Sequence, residues 1–272
     1  MLSVNTNVAS LNAQRNLSKT QVSLNQSLQR LSSGLRINSA ADDAAGLAIS
    51  EGMKAQVRSM NQATRNANDG VSMVQVAEGS LNEVSNILGR MRELATQAAT
   101  GTLDSAQRGY INSEFGRLAT EITRIASATA FNGIHMLAAS TTTTTIQVGT
   151  GNQGYDRIDV VTDQMTAGAL GISAAITTAS AAQTMLDTLD TAISTVSAQR
   201  ANLGAAQNRF QSVINNLQVA AENTSAAQSR IADADIASET ANMTRANILT
   251  QAGTSILAQA NQLPQAALQL LQ

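Results

Sequence analysis

Cysteine and tryptophan are absent, and aromatic side chains of any kind are scarce: three Phe and two Tyr make up 2% of 272 residues. Without cysteine there can be no disulfides and no thiolate metal sites. A single proline in the whole chain leaves long segments with nothing to break them. Charge is sparse too, with 13% charged residues, a formal net charge of −2 and basic side chains scattered singly. A nucleic-acid partner requires a basic stripe, so none is expected. No stretch approaches the roughly 20 uninterrupted apolar residues of a membrane span, so no membrane partner is expected either. The opening residues, MLSVNTNVASLNAQRN, lack the charged region and apolar run of a cleaved signal peptide. If the protein is exported, another route must carry it.

What is present is 43% hydrophobic residues, drawn mostly from Ala, Leu, Ile, Val and Met. Such side chains suit long helices packed on other helices, and a loop-rich catalytic fold is disfavoured. Apolar residues recur at alternating spacings of three and four, which lines them up along one face of a helix. Val4, Val8 and Leu11 lead into Leu17, Leu24, Leu28, Leu31 and Leu35. A second segment, from about Ala44 to Thr100, carries Val57, Met60, Ala67, Val71, Val74, Leu81, Val84, Leu88 and Met91. After a break at Gly101, Ile111, Phe115, Leu118, Ile122 and Ile125 mark a shorter helix. The most regular heptad runs from Leu186 through Leu189, Ile193, Val196, Leu203, Phe210 and Ile214 to Leu217, interrupted by Arg200 and Gln207. These two polar members either set the register of the seam or sit at its edge. The last helix carries Leu249, Ala252, Ile256, Ala260, Leu263, Ala267 and Leu270, with a bend or new turn expected at Pro264.

The middle of the chain has another texture. A run from Thr141 to Thr145 precedes IQVGTGNQGYDRIDVV, where the alternation of Ile146 with Val148 and of Ile158 with Val160, with Gly149, Gly151 and Gly154 between, is the pattern of a β-hairpin. The Thr run reads as an O-glycosylation patch or as a solvated strand edge; β-branched side chains favour the strand. The expected fold is therefore mainly α: long helices in a coiled-coil-like bundle, one small β-hairpin element, and paired N- and C-terminal helices. An end helix that is apolar along a whole stripe has little in its own chain to cover it, so copies of the same chain are the natural cover.

Several motifs are specific. LSSGLRINSAADDAAGLAIS from Leu31 to Ser50, NQATRNANDGVSMVQVAEGSLNEV from Asn61, MRELATQA at Met91, TAFNGIHML around Phe131 and the block from AENTSAAQSRIADADIASE onward resemble bacterial flagellins, in a short form without large outer domains. The resemblance covers both ends and most of the chain. It implies a structural subunit that polymerises into the flagellar filament for motility, outside the cell. In that family arrangement, residues 1–44 are an N-terminal core helix and connecting segment, and 231–272 the C-terminal core helix. Residues 45–137 and 177–230 are the two parts of an inner shell, with the β-hairpin and a short insertion at 138–176. Leu24, Leu28, Leu31, Leu35, Leu249, Ile256, Leu263 and Leu270 are then expected to pack the filament core.

The resemblance also implies partners. These are further copies of the chain, an export chaperone gripping about Ala232 to Gln272, the type III export apparatus, and the filament cap and hook-junction proteins. A further partner is the animal innate receptor for flagellin, a toll-like receptor, whose contact residues match Arg90, Leu94 and Glu114 here. Arg90 and Leu94, four apart, are expected on one helix face. Gly89 stands where Gln is usual, and a helix-interior Gly costs on the order of 1 kcal/mol relative to Ala, so receptor recognition is expected to be weakened.

No enzyme is expected, and no cofactor, catalytic or metal site. His135 is the only histidine and has no ligand at metal spacing, and HExxH is absent. The adjacent Asp42 and Asp43 fall in the connecting segment and are expected to be structural. A hook-filament junction protein and a minor surface homologue with a binding role are the alternatives. The first calls for weaker agreement over Leu31 to Ser50, the second for an aromatic platform that Tyr110, Tyr155 and the three Phe do not supply.

Overall fold

The computed structural model describes residues 6–173 and 175–269, with side chains through residue 262. Five helices carry the chain: α1 (Val8–Ser33), α2 (Ala44–Ala98), α3 (Ser105–Ala128), α4 (Ala179–Ala232) and α5 (Ile236–Gln269). Four short strands stand between α3 and α4: β1 (Ala130–Phe131), β2 (Ile134–His135), β3 (Thr142–Gln147) and β4 (Arg157–Thr162). The fold class read from the sequence is the one observed. Val4, Leu270 and the side chain of Leu263 lie outside the described residues; α5 itself runs on through Pro264.

The chain divides into two compact units, Arg58–Ala221 and the combined ends Met1–Val57 with Glu222–Gln272. The Arg58–Ala221 unit holds a contiguous core. Leu81, Val84, Leu88 and Met91 of α2, Phe115 and Ile122 of α3, and Leu189, Val196, Leu203 and Phe210 of α4 are all buried within it. Gly70 makes room for Phe210: a Cβ there would lie 2.8 Å from the ring. Asp104 caps α3 through a reciprocal box with Gln107, which fixes where that helix starts after the break at Gly101.

β3 and β4 form the expected antiparallel hairpin, with Ile146 opposite Ile158 and Thr144 opposite Val160. The Thr run becomes β3, half-buried and exposed side chains alternating along it. The loop is closed by Asp156, whose carboxylate accepts the Gln153 N–H at 3.0 Å. A second, smaller hairpin was not foreseen. Phe131 pairs with Ile134 across Asn132 and Gly133, both with positive φ. Asn-Gly is the characteristic pair of a two-residue turn, so the signal was present in the sequence. His135 lies in β2, exposed and paired with Ala130.

In the unit formed by the ends, α1 packs along α5. Gly34 caps α1 in the left-handed conformation that glycine adopts readily, its N–H donating to Arg30 O. Leu35 and Asp233 then form a single antiparallel bridge, flanked by Arg36 N donating to Ala232 O at 2.7 Å and Ala234 N donating to Gly34 O at 3.0 Å.

Candidate assembly interface

Two faces of α5 divide the work that the sequence assigned to one stripe. Ala246 and Ala260 are buried and Gly253 sits with a would-be Cβ 3.2 Å from Leu17, so α5 turns small residues toward α1. The large apolar residues go the other way: Ile248, Leu249 and Ile256 are between 52% and 60% exposed. On α1, Val8, Leu11, Val22 and Leu28 are likewise exposed, while Leu24, Leu31 and Leu35 are half-buried. Ile236, Thr240, Thr244, Ile248 and Leu249 line an open apolar groove of about 1010 Å³ along α5.

Polar contacts also join the two helices. Asn7 Nδ2 donates to Ala260 O at 2.7 Å and Ser10 Oγ to Asn261 Oδ1 at 2.7 Å. Ser27 and Glu239 are buried, and Arg30 approaches Glu239 at 3.9 Å. A two-helix pair stabilised this way buries little oil, and burial of apolar surface is what stabilises helices in proteins.

The connecting segment explains Asp42 and Asp43. The two precede α2 and do different local jobs. Asp42 Oδ2 accepts the Asn38 and Ser39 N–H groups and the Ser39 hydroxyl, and its Oδ1 accepts Gln26 Nε2. These bonds, that from Gln26 foremost, hold the Asp42 carboxyl below its ordinary pKa. Asp43 Oδ1 accepts the Gly46 N–H at 2.9 Å, capping α2. A Cβ on Gly46 would meet the Ile37 side chain at 2.6 Å as well as the Asp43 carboxylate, so a larger residue there would displace both.

Arg90 and Glu114 are brought together. Arg90 Nε and Nη2 donate to Glu114 Oε1 at 3.1 and 2.9 Å, and Nη1 donates to Glu93 Oε2 at 2.9 Å. Glu114 first and then Glu93 raise the Arg90 pKa. Leu94 does not join them at the surface, being only 2% exposed. Four residues advance a helix by about 400°, and the extra 40° turns position 94 into the core. Arg200 and Gln207 are half-buried, at the edge of the α4 seam. The fully buried polar residue of that helix is Gln199, whose Nε2 donates to Val161 O at 2.8 Å. It escaped notice because it lies one position off the heptad.

Among the described residues, no three His, Cys, Asp or Glu side chains converge as metal ligands, and no helix is long and apolar enough to cross a membrane.

Two family profiles account for most of the chain. Residues 4–142 match the bacterial flagellin N-terminal helical region and residues 186–271 the bacterial flagellin C-terminal helical region. The chain belongs to the bacterial flagellin family. It is 46% identical to a flagellin of Halalkalibacterium halodurans over 98% of this chain and 99% of that protein. It is 42% identical to a flagellin of Bacillus subtilis, and 42% to the flagellar filament 33 kDa core protein of Treponema phagedenis, each over 98% of this chain and 99% of the relative. A solved structure of a putative flagellar hook-associated protein from Vibrio parahaemolyticus matches with a TM-score of 0.58 at 14% identity, covering 71% of this chain and 100% of that one. At that identity the likeness concerns the fold alone. As a flagellin of short form, the chain is a structural subunit that polymerises into the extracellular flagellar filament and serves motility.

Proposed function

We propose that the paired ends, residues 1–44 and 231–272, build the core of the filament, and that segments 45–137, 138–176 and 177–230 build the shell around it. One observation carries this reading: α5 buries small residues, Ala246 and Ala260, and sets Gly253 against Leu17 of α1, while Val22, Leu28, Leu249 and Ile256 remain in solvent. Helices in a polymer find their cover on neighbouring copies. The α5 groove, apolar and open, is where a neighbour's helix lies in this reading. Amide exchange tests it. In the monomer, α1 and α5 should exchange fast and the Arg58–Ala221 unit slowly; in the filament, the ends should become protected by orders of magnitude. Ends that are already protected in the monomer would refute the assignment.

The same exposed faces call for cover before assembly. In this reading the export chaperone grips about residues 232–272, and the type III apparatus carries the chain without a cleaved signal. The chain then adds beneath the cap, onto a filament based on hook-junction proteins. Removal of residues 232–272 should abolish co-elution with the chaperone.

Recognition by the toll-like receptor of flagellin specificity is proposed through Arg90 and Glu114, which are half-exposed and joined by an ion pair. Leu94 supports the contact by anchoring α2 in the core. A cell reporter dosed with monomer should lose most of its signal on Arg90→Ala or Glu114→Ala, and silence of the wild-type monomer at high dose would refute the contact.

A further inference from the structure

We propose that the cleft between α1 and α5 around Ser27 binds a tetrahedral oxyanion of the phosphate class, which ties the two end helices together. The cleft measures about 400 Å³ and takes polar side chains from both helices. The pair is antiparallel: Leu17 lies against Gly253 and Arg30 against Glu239, so Ser27 stands near the level of Asn242. At that level the cleft holds donors that nothing accepts from. Ser27 is 6% exposed, and its hydroxyl makes no hydrogen bond among the described residues. Arg30 Nε is buried without an acceptor. Arg245 reaches back along α5 to Asn242 Oδ1 at 3.5 Å, a long contact with a neutral oxygen that brings its guanidinium toward the level of Ser27. Lys19, two turns before Ser27 on the same wall, has no partner among the described residues.

Lys19, Arg30 and Arg245 share the cleft with one carboxylate, that of Glu239. Glu239 is buried, but it stands 3.9 Å from Arg30 Nη1, beyond hydrogen-bond reach, and Nη1 is not on the Nε edge of the guanidinium. The edge formed by Nε and Nη2 is the fork that takes two oxygens of a phosphate side by side. Gln26 does not fill it, since its amide donates to Asp42, a carboxylate already held by four donors. An oxyanion at the level of Ser27 accepts from the Arg30 fork, the Ser27 hydroxyl and the Arg245 guanidinium, and so joins α1 to α5. A buried donor left without an acceptor is costly, and a water molecule would satisfy the donors without offsetting the surplus of positive charge.

Binding of radiolabelled inorganic phosphate tests the site, read by sedimentation for filaments and by equilibrium dialysis for monomer, with ionic strength held constant by chloride. Filaments are the form in which the reading above completes the helix pair, and they should bind phosphate saturably, about one per chain, with sulfate competing and chloride not. Arg245→Gln, which removes a charged donor, should weaken binding roughly tenfold, and Ser27→Ala, which removes a neutral one, roughly threefold. Lys54→Gln, at an exposed lysine of α2 that pairs with Glu51, should leave it unchanged. If Arg245→Gln proves unfolded by circular dichroism, Ser27→Ala and the sulfate competition still decide. Absence of saturable binding, or binding indifferent to both Arg245→Gln and Ser27→Ala, would overturn the proposal while leaving the filament reading standing. Phosphate taken up by monomer and excluded from filaments would overturn it too, by assigning the cleft to a neighbouring copy. A wild-type protein that forms no filaments would overturn the filament reading alone, and dialysis of the monomer would then decide the cleft.

Discussion

The Arg58–Ala221 unit and the unit made by the two ends are built from the same material, long helices rich in Ala, Leu, Ile and Val, yet they are stabilised differently. The first closes a continuous core from Ala67 to Ile214, joined by Phe115, Ile122, Met136 and the inner face of β4. In the second, the buried apolar residues among those described are Ile37, Ala232, Ala246 and Ala260. Amphipathic helices are therefore no guarantee of a core. Which face meets the partner decides, and in the ends the smaller face does. In the reading proposed above, one unit is stable in itself, whereas the other is complete only in a polymer.

The contrast can be broken first by truncation. Removal of residues 1–40 or 235–272 should leave a soluble helical fragment by circular dichroism that forms no filaments under electron microscopy. Filaments from either truncation would end the argument that the ends build the core. Next in size is a pair of large-to-small changes. Phe210→Ala should lower the unfolding free energy by about 3–5 kcal/mol in denaturant titration. Leu249→Ala, on the exposed face of α5, should change it by less than about 0.5 kcal/mol and instead raise the critical concentration for assembly. Equal effects of the two on the monomer would erase the distinction between the units. A smaller effect is expected from Gly70→Ala. The added methyl meets the Phe210 ring at 2.8 Å, and overpacking of this kind costs about 1–3 kcal/mol, measurable as a lowered Tm. The least effect belongs to the connecting segment. Asp42 has its folded pKa lowered, so its contribution to stability is complete above the unfolded carboxylate value and is lost as pH falls through the folded one. Asp42→Ala should be less stable than wild type at neutral pH, and acid titration should show the difference shrinking over that acidic window, where the variant loses stability less steeply than wild type.

Much of this was legible in the sequence, because spacing alone encodes long helices. The segments from Ala44 and Leu186 carry long apolar stripes, the second interrupted by Arg200 and Gln207, and they appear as α2 and the central part of α4. The β3–β4 hairpin was legible from alternation and turn residues. The Asn132-Gly133 hairpin was passed over because its strands are only two residues long, too short for a period to register. Leu94, expected on one helix face with Arg90, is buried, because four residues overshoot a helical turn of 3.6. Gln199 was invisible because its burial depends on Val161, distant in sequence, which no local pattern encodes. The partition of α5 into a small inner face and a large outer one was beyond reach for the same reason: it depends on where α1 lies.

The bridge between Leu35 and Asp233 joins positions nearly two hundred residues apart. Closing so long a loop carries an entropic penalty that grows with the logarithm of its length. The contacts of the Arg58–Ala221 unit span shorter separations and are rewarded by burial as they form. That unit therefore condenses first, and in doing so it removes most of the chain length that separates the two ends. The pairing of α1 with α5 is therefore expected to follow the folding of the middle.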